Sequence, residues 1–307
     1  MCIDKKIDMV YNIKKLKGVI QVKTDMRISA DNFMKLVNIF KENGWEVPES
    51  DSEYESRFNR FCQRLSILDK KEQELVIDLA KQFKKIEGEE YRPCMVKLLN
   101  QIYLNEDCFF ANKRKLFVLP LLAPEDFNKT KSSKFVWYYF QDEVIKLSPI
   151  FKDKKLIFCD STNFSWIKTL KKEDAILLLD DYIGSGETAV SAVNWIRSEY
   201  GINLNKIAIL AIAAQEQGLK YIDDTLKIKT FVYFMRKKGI SDYYHDDSLK
   251  NNIKLMTQIE NKLKIDKNFS FGYNRSEALI SLIKTQNNTF PVFWFTNKKH
   301  NVAPFLR

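Results

Sequence analysis

The sequence predicts an α/β domain with a mostly parallel sheet, preceded by a helical N-terminal region. Up to about residue 105, apolar side chains recur at three- and four-residue spacing and period-two alternation is scarce. From about residue 115, short apolar runs alternate with helical segments, the pattern of βα units. One of those runs ends in two acids and a Gly-Ser-Gly turn that opens a helix. These observations place residues 1–105 in a scaffold or partner-docking region and residues 106–307 in the α/β domain, with no flexible linker to mark the boundary.

In the first region Phe33, Leu36, Val37 and Phe40 form a helical stripe, with Ser29 as its N-cap and Gly44 as its end. Tyr54, Phe58, Phe61, Cys62 and Leu65 form a second stripe, Leu75, Ile77, Leu79, Ala80 and Phe83 a third, and 93–103 a fourth helix. Strands are expected over 116–122, 156–159, 175–179, 207–213, 230–234 and 291–295. Helices are expected between them over 133–145, 188–200 and 275–284.

Composition narrows the function. The chain of 307 residues is 45% hydrophobic, enough for a substantial core, and its apolar runs are far shorter than the roughly 20 residues of a membrane span. The opening segment lacks a continuous apolar stretch with a cleavage site, so a cytoplasmic protein is expected. Cys2, Cys62, Cys94, Cys108 and Cys159 form no C-x-x-C pair, which points to reduced thiols and neither a zinc knuckle nor a disulfide framework. Two histidines, His245 and His300, exclude chemistry built on several imidazoles; His245 with Asp242, Asp246 and Asp247 reads as an exposed acidic loop before it reads as a metal cluster. No protein-held metal site is expected. The net charge of +10 favours attraction to phosphates, nucleotides or RNA, but lysines spread along the whole chain also suit a solvated surface.

The most informative segment is 173–196, EDAILLLDDYIGSGETAVSAVNWI. A helix that opens at a glycine turn presents bare N–H groups and the positive end of its dipole, which together hold a phosphate. Gly184 and Gly186 permit a close approach, and Ser185 and Thr188 add hydroxyl donors. Asp180 and Asp181 stand at the carboxyl end of the strand, where α/β folds bind ligands, and two adjacent carboxylates suit a sugar diol. An ordinary strand-end turn with solvated acids is the plain alternative.

LLLDDYIGSGETA resembles the phosphoribosyl diphosphate motif of the type I phosphoribosyltransferases. A second stretch, FGYNRSEALISLIKTQNNTFPVFWF over 271–295, resembles the closing segment of phosphoribosyltransferase-like proteins of bacterial conflict systems, among them retron-associated effectors. The resemblance implies a type I phosphoribosyltransferase sheet and an effector of retron-type antiviral defence. Such an effector would bind phosphoribosyl diphosphate or a nucleotide, and would transfer or cleave at ribose C1'. It implies that Asp180 and Asp181 face the ribose hydroxyls and that Tyr182, Ile183, Gly184, Ser185, Gly186, Glu187 and Thr188 line the phosphate site. It also implies magnesium held mainly through the substrate, and a partner such as a reverse transcriptase ribonucleoprotein.

Two departures stand beside the matches. Glu187 puts a carboxylate into the phosphate loop, so its side chain must turn outward or meet a cation. The segment after the first strand lacks the glycines of a diphosphate loop; Lys129, Lys131, Ser132 and Ser133, at the head of the next helix, are the candidate replacement. Among the aromatics Phe290, Phe293, Trp294 and Phe295, core filling competes with a hood over a nucleobase, for which Trp294 is the stacking candidate. The competing functions are a catalytically silent nucleotide sensor and an adenosylmethionine-dependent methyltransferase. The latter's Pro-Pro-aromatic motif is missing, and a P-loop would need Lys where Glu187 stands.

Overall fold

The computed structural model describes residues 28–46, 56–159, 164–300 and 302–307. In chain order its main elements are α1 (Ala30–Glu42), α2 (Arg57–Ser66), α3 (Lys70–Lys81), α4 (Tyr91–Leu104), β1 (Lys115–Pro120) and α5 (Ser132–Tyr139). There follow β2 (Lys155–Phe158), β3 (Asp174–Ile183), α6 (Glu187–Tyr200), β4 (Ile207–Gln215), α7 (Glu216–Leu226), β5 (Lys229–Arg236) and α8 (Asp246–Leu263). The chain forms two compact units: Met1–Lys84 joined with Gly239–Arg307, and Lys85–Lys238.

The first unit holds α1, α2, α3 and α8 around an aromatic core. Ser29 caps α1 by accepting the Asn32 N–H at 3.2 Å, as the sequence predicts, and Ser56 caps α2 in the same way. The predicted stripes of α1 to α3 meet here: Phe40 packs edge-to-face with Phe58 and Phe61 at centroid distances of 5.1 and 5.5 Å, and Phe83 stacks on Phe305 at 4.2 Å. Tyr54 of the second stripe lies outside the described residues. The C-terminal segment closes on α2, where Arg64 Nη2 donates to the carbonyls of Phe295 and Val302, both at 2.6 Å.

Several expectations fail in this unit. The aromatics expected as a strand over 291–295 form a single turn, Pro291–Phe293, because the proline begins it and the rings bury as core. The helix expected over 275–284 is absent: the segment holds a turn at Tyr273–Arg275 and the two-residue strand Ile280–Ser281. Its helix-forming side chains lose to tertiary hydrogen bonds, since the Glu277 carboxylate accepts the N–H groups of Ile240 and Ser241 at 2.9 and 2.8 Å. The acidic stretch around His245 is exposed, as expected, but only Asp242 and His245 lie outside the helix: Asp246 and Asp247 form the first turn of α8, whose N-cap His245 donates its N–H to Ser248 Oγ.

In the second unit the five strands form a parallel sheet in the order β2-β1-β3-β4-β5. Continuous apolar sequence makes β3 and β4 buried on both faces, as central parallel strands are. Ile176, Leu178, Ile207 and Ile209 share one core with Val190 and Val193 of α6 and Ile222 of α7. The other face carries α4 and α5; α4 was expected in the N-terminal region, but its buried Met95, Leu98 and Leu99 pack it over β4 and β5. The division therefore falls at 84/85 and 238/239 and not near residue 106. The helix expected over 133–145 breaks after Tyr139, with a separate turn at Glu143–Lys146 begun by the Asp142 cap.

Phe83 is 1% exposed and touches Trp45, Phe293 and Phe305, so Phe83→Ala should cost about 3–5 kcal/mol of stability. Denaturant unfolding measures it, and a loss below about 1 kcal/mol would contradict this core.

Candidate functional site

The strand order reverses between β1 and β3. β1 passes to its neighbour β2 on one side, while β3 passes to β4 and β5 on the other. Open α/β sheets bind ligands in the crevice at the carboxyl ends of the strands at such a point. Asp180 to Ile183 lie there, inside β3, which runs four residues beyond the expected strand. The polar pair looks like a strand end in sequence, yet it continues the ladder against Ala211, Ala213 and Ala214 of β4.

Successive side chains leave a strand on opposite faces, and this separates the two acids. Asp181 turns to the side of α4 and α5 and is 2% exposed. Its Oδ2 accepts the Tyr91 hydroxyl at 3.1 Å and its Oδ1 accepts the Ser132 hydroxyl at 2.7 Å. Asp181 is thus a buried tie between β3, α4 and α5, and its oxygens are engaged by the protein rather than turned to a sugar diol. Asp180 is partly exposed, and its Oδ1 accepts the backbone N–H of Asp181 at 2.9 Å. Burial pushes the Asp180 carboxyl well above its ordinary range, and the adjacent Asp181 charge adds to the effect. Burial also raises Asp181, against the pull of the Ser132 and Tyr91 hydroxyls.

After Ile183 comes the turn Gly184-Ser185-Gly186, with Gly186 at φ 84° as the N-cap of α6. Ser185 Oγ accepts the Glu187 N–H at 3.4 Å. Glu187 and Thr188 are exposed, so the carboxylate that threatened the phosphate loop stands outward, in the first turn where a helix dipole favours a negative charge. The turn is pressed against α7. A Cβ on Gly186 would lie 2.7 Å from the Gly218 carbonyl oxygen, and one on Gly218 would lie 2.2 Å from that of Gly184. Sequence reasoning missed both Gly218 and Tyr91. A lone glycine within the amphipathic run of α7 is a signal for close packing; nothing in the sequence marks Tyr91.

The expected replacement for a diphosphate loop is partly used up. Lys131 and Lys129 both pair with Asp126, at 2.9 Å each, and Ser132 serves Asp181. Ser133 is 2% exposed, and its Oγ has no hydrogen-bond partner. Trp294 belongs to the other unit and is a core ring there: it is 6% exposed, its Nε1 donates to the Thr289 carbonyl at 2.7 Å, and the Arg307 guanidinium covers it at 4.9 Å. That packing leaves no open face on which a base could stack. Among the described residues no group of three or more His, Cys, Asp or Glu is placed to hold a metal ion, and no helix is long and apolar enough to cross a membrane.

Two outcomes are expected. Gly218→Ala should force the Gly184–Gly186 turn away from α7 and lower stability by about 1–3 kcal/mol; an unchanged melting temperature would show that the turn has room. The folded state holds the Asp180 proton to higher pH than the unfolded chain does. Its contribution is therefore complete below about pH 3.8 and is lost as pH rises through the folded value. Asp180→Asn should match wild type in acid and become progressively the more stable of the two above that range, which paired melting curves against pH would read; parallel curves would refute the burial of the charge.

A family model described as PRTase-CE matches residues 58–305. Among solved structures, the chain is similar to an orotate phosphoribosyltransferase from Aeropyrum pernix at 9% identity and a TM-score of 0.26, over 53% of this chain and 74% of that one. The search of curated proteins finds no match.

Proposed function

Because the chain belongs to the PRTase-CE family, we propose that its sheet unit binds phosphoribosyl diphosphate or a nucleotide and acts at ribose C1'. One observation carries the reading: a half-buried carboxylate, Asp180, stands at the switch point of a parallel sheet, and the Gly184–Gly186 turn and the N-terminus of α6 follow directly from it. The bare N–H groups of that turn, with Ser185 and Thr188, would hold the 5'-phosphate. Asp180 would face the ribose and favour positive charge developing at C1' as the bond to diphosphate breaks and its electron pair leaves with the diphosphate. Asp181, held by Tyr91 and Ser132, would fix the strand that carries Asp180. The chain's part in catalysis is then positioning and electrostatics.

Among the described residues no third acid joins Asp180 and Asp181 in a metal-holding group, and magnesium would then be carried in on the ligand's own oxygens, where it would neutralise diphosphate charge. The finer role, an effector of retron-type antiviral defence restrained by a partner such as a reverse transcriptase ribonucleoprotein, is supported by the resemblance of residues 271–295 alone. A second reading, a silent nucleotide sensor, is favoured by the engaged oxygens of Asp181 and by the pairing of Lys129 and Lys131 with Asp126.

Calorimetric titration of phosphoribosyl diphosphate with magnesium tests the site. Asp180→Asn should bind roughly tenfold or more weakly, the loss of one charge-assisted contact. Equal affinity would remove Asp180 from the site. Diphosphate release in the presence of nucleobases supports turnover, whereas binding without release supports the sensor.

A further inference from the structure

In the first unit, Arg64 of α2 is 1% exposed. Its Nη2 donates to the carbonyls of Phe295 and Val302, the two ends of a short loop, while Nε and Nη1 are buried without a hydrogen-bond partner. Burial pushes the guanidinium down to about 10, so it stays a cation at neutral pH, and no carboxylate acts on it. Buried charges are ordinarily paired, and an unpaired one is poorly screened from its surroundings. The loop that Arg64 closes is itself basic. Asn297 folds it into a tight turn: its Oδ1 accepts the N–H groups of Lys299 and His300 at 2.9 and 2.8 Å, and its Nδ2 donates to the Leu263 carbonyl at the end of α8 at 2.7 Å. Lys298, Lys299 and Lys264 are exposed, and His300 is half-buried with its ring bonded to the Lys262 carbonyl. These groups are close enough to interact: after burial, the Arg64, Lys299 and Lys264 charges hold the imidazole below its ordinary value. The acids Asp69 and Glu72 are both occupied by Lys262 Nζ, at 2.6 Å each.

We infer that the Lys298–His300 turn, with Lys264 beside it and the buried Arg64 charge at its base, is a docking surface for the phosphodiester backbone of a nucleic acid. The fold alone gives no reason for the cation, since an apolar residue in place of a buried charge is often neutral or stabilising. Retained without a counterion, Arg64 adds its field to that of the lysines around the turn. None of the exposed large hydrophobic side chains lies on this turn, so a peptide side chain would find no apolar anchor there. Contact is therefore electrostatic, which is how proteins hold a phosphate backbone without reading its sequence. The Asn297 bonds preorganise the turn, so little backbone order is lost on docking. This surface belongs wholly to the first unit and does not depend on the phosphoribosyl reading of the sheet unit.

The chain has two histidines, and they make the test internal. Phosphates over the turn offset the cations and raise the His300 pKa, so the complex takes up a proton. Affinity is then complete below the free protein's His300 value and falls as pH rises through the bound one. NMR titration of the full chain, with and without single-stranded RNA lacking terminal phosphates, should show His300 shifted up and His245, beside Asp246 and Asp247 at the head of α8, unmoved. Lys298→Ala/Lys299→Ala should bind that RNA roughly tenfold more weakly at low salt and flatten the slope of log affinity against log salt by roughly 0.7 per lysine. Lys171→Ala/Lys172→Ala, an exposed pair just before β3, should stay near wild type in both respects. Arg64→Met should raise the His300 value of the free protein, as loss of a nearby positive charge requires. Equal losses from the two lysine pairs would reduce the binding to the general charge of the chain and overturn the surface. So would an unmoved His300, or tighter binding of polyglutamate or of anionic lipid vesicles than of RNA.

Discussion

Backbone meets backbone where the turn after β3 presses on the first turn of α7, and the geometry of the sheet unit's crevice depends on that contact. The approach leaves no space for a side chain at Gly186 or Gly218. It fixes where α6 begins and which N–H groups its first turn offers. It also lets β3 run on to Ile183 against the small side chains Ala211, Ala213 and Ala214 of β4. Bulkier residues along that part of β4 would crowd the strand end. The polar residues of β3 thus gain a rigid sheet position instead of a solvated loop.

The paired acids divide their work as a consequence of strand alternation. One is buried and tied by hydroxyls from two helices; the other leaves the opposite face of the strand and is partly exposed. Burying a carboxylate costs several kcal/mol unless hydrogen bonds compensate it. Tyr91 and Ser132 supply such bonds and at the same time anchor α4 and α5 to the central strand. The head of α5 is thereby coupled to the strand that leads into the glycine turn.

The parallel sheet was legible because continuous apolar runs such as Ile207–Gln215 have few other places in a fold. The glycine turn that opens α6 was legible because glycines, a helix start and two acids coincide within a few residues. What escaped the sequence depended on tertiary contacts. Asp180 and Tyr182 look like the residues of a loop until their neighbours on β4 are known. Residues 275–284 carry helix formers, but Glu277 spends its carboxylate on Ile240 and Ser241 and so pins the segment in an irregular form. Trp294 resembles a stacking ring until Arg307 and Thr289 are seen around it. The split of labour between Asp180 and Asp181 follows from strand parity, which was hidden while the strand was taken to end at residue 179.

The first unit is built from both flanks of the chain, with the second unit inserted between them. On the ribosome the sheet unit is complete once Lys238 has emerged, whereas α1, α2 and α3 must wait for α8 and the C-terminal aromatics. At about 5–20 residues per second this delay lasts for seconds. Throughout it, the apolar faces of Phe61 and Phe83 lack their Phe293 and Phe305 partners. A nascent chain stalled in that interval would carry a finished crevice and an adhesive, half-built neighbour, which makes this stretch of synthesis the one most in need of a chaperone.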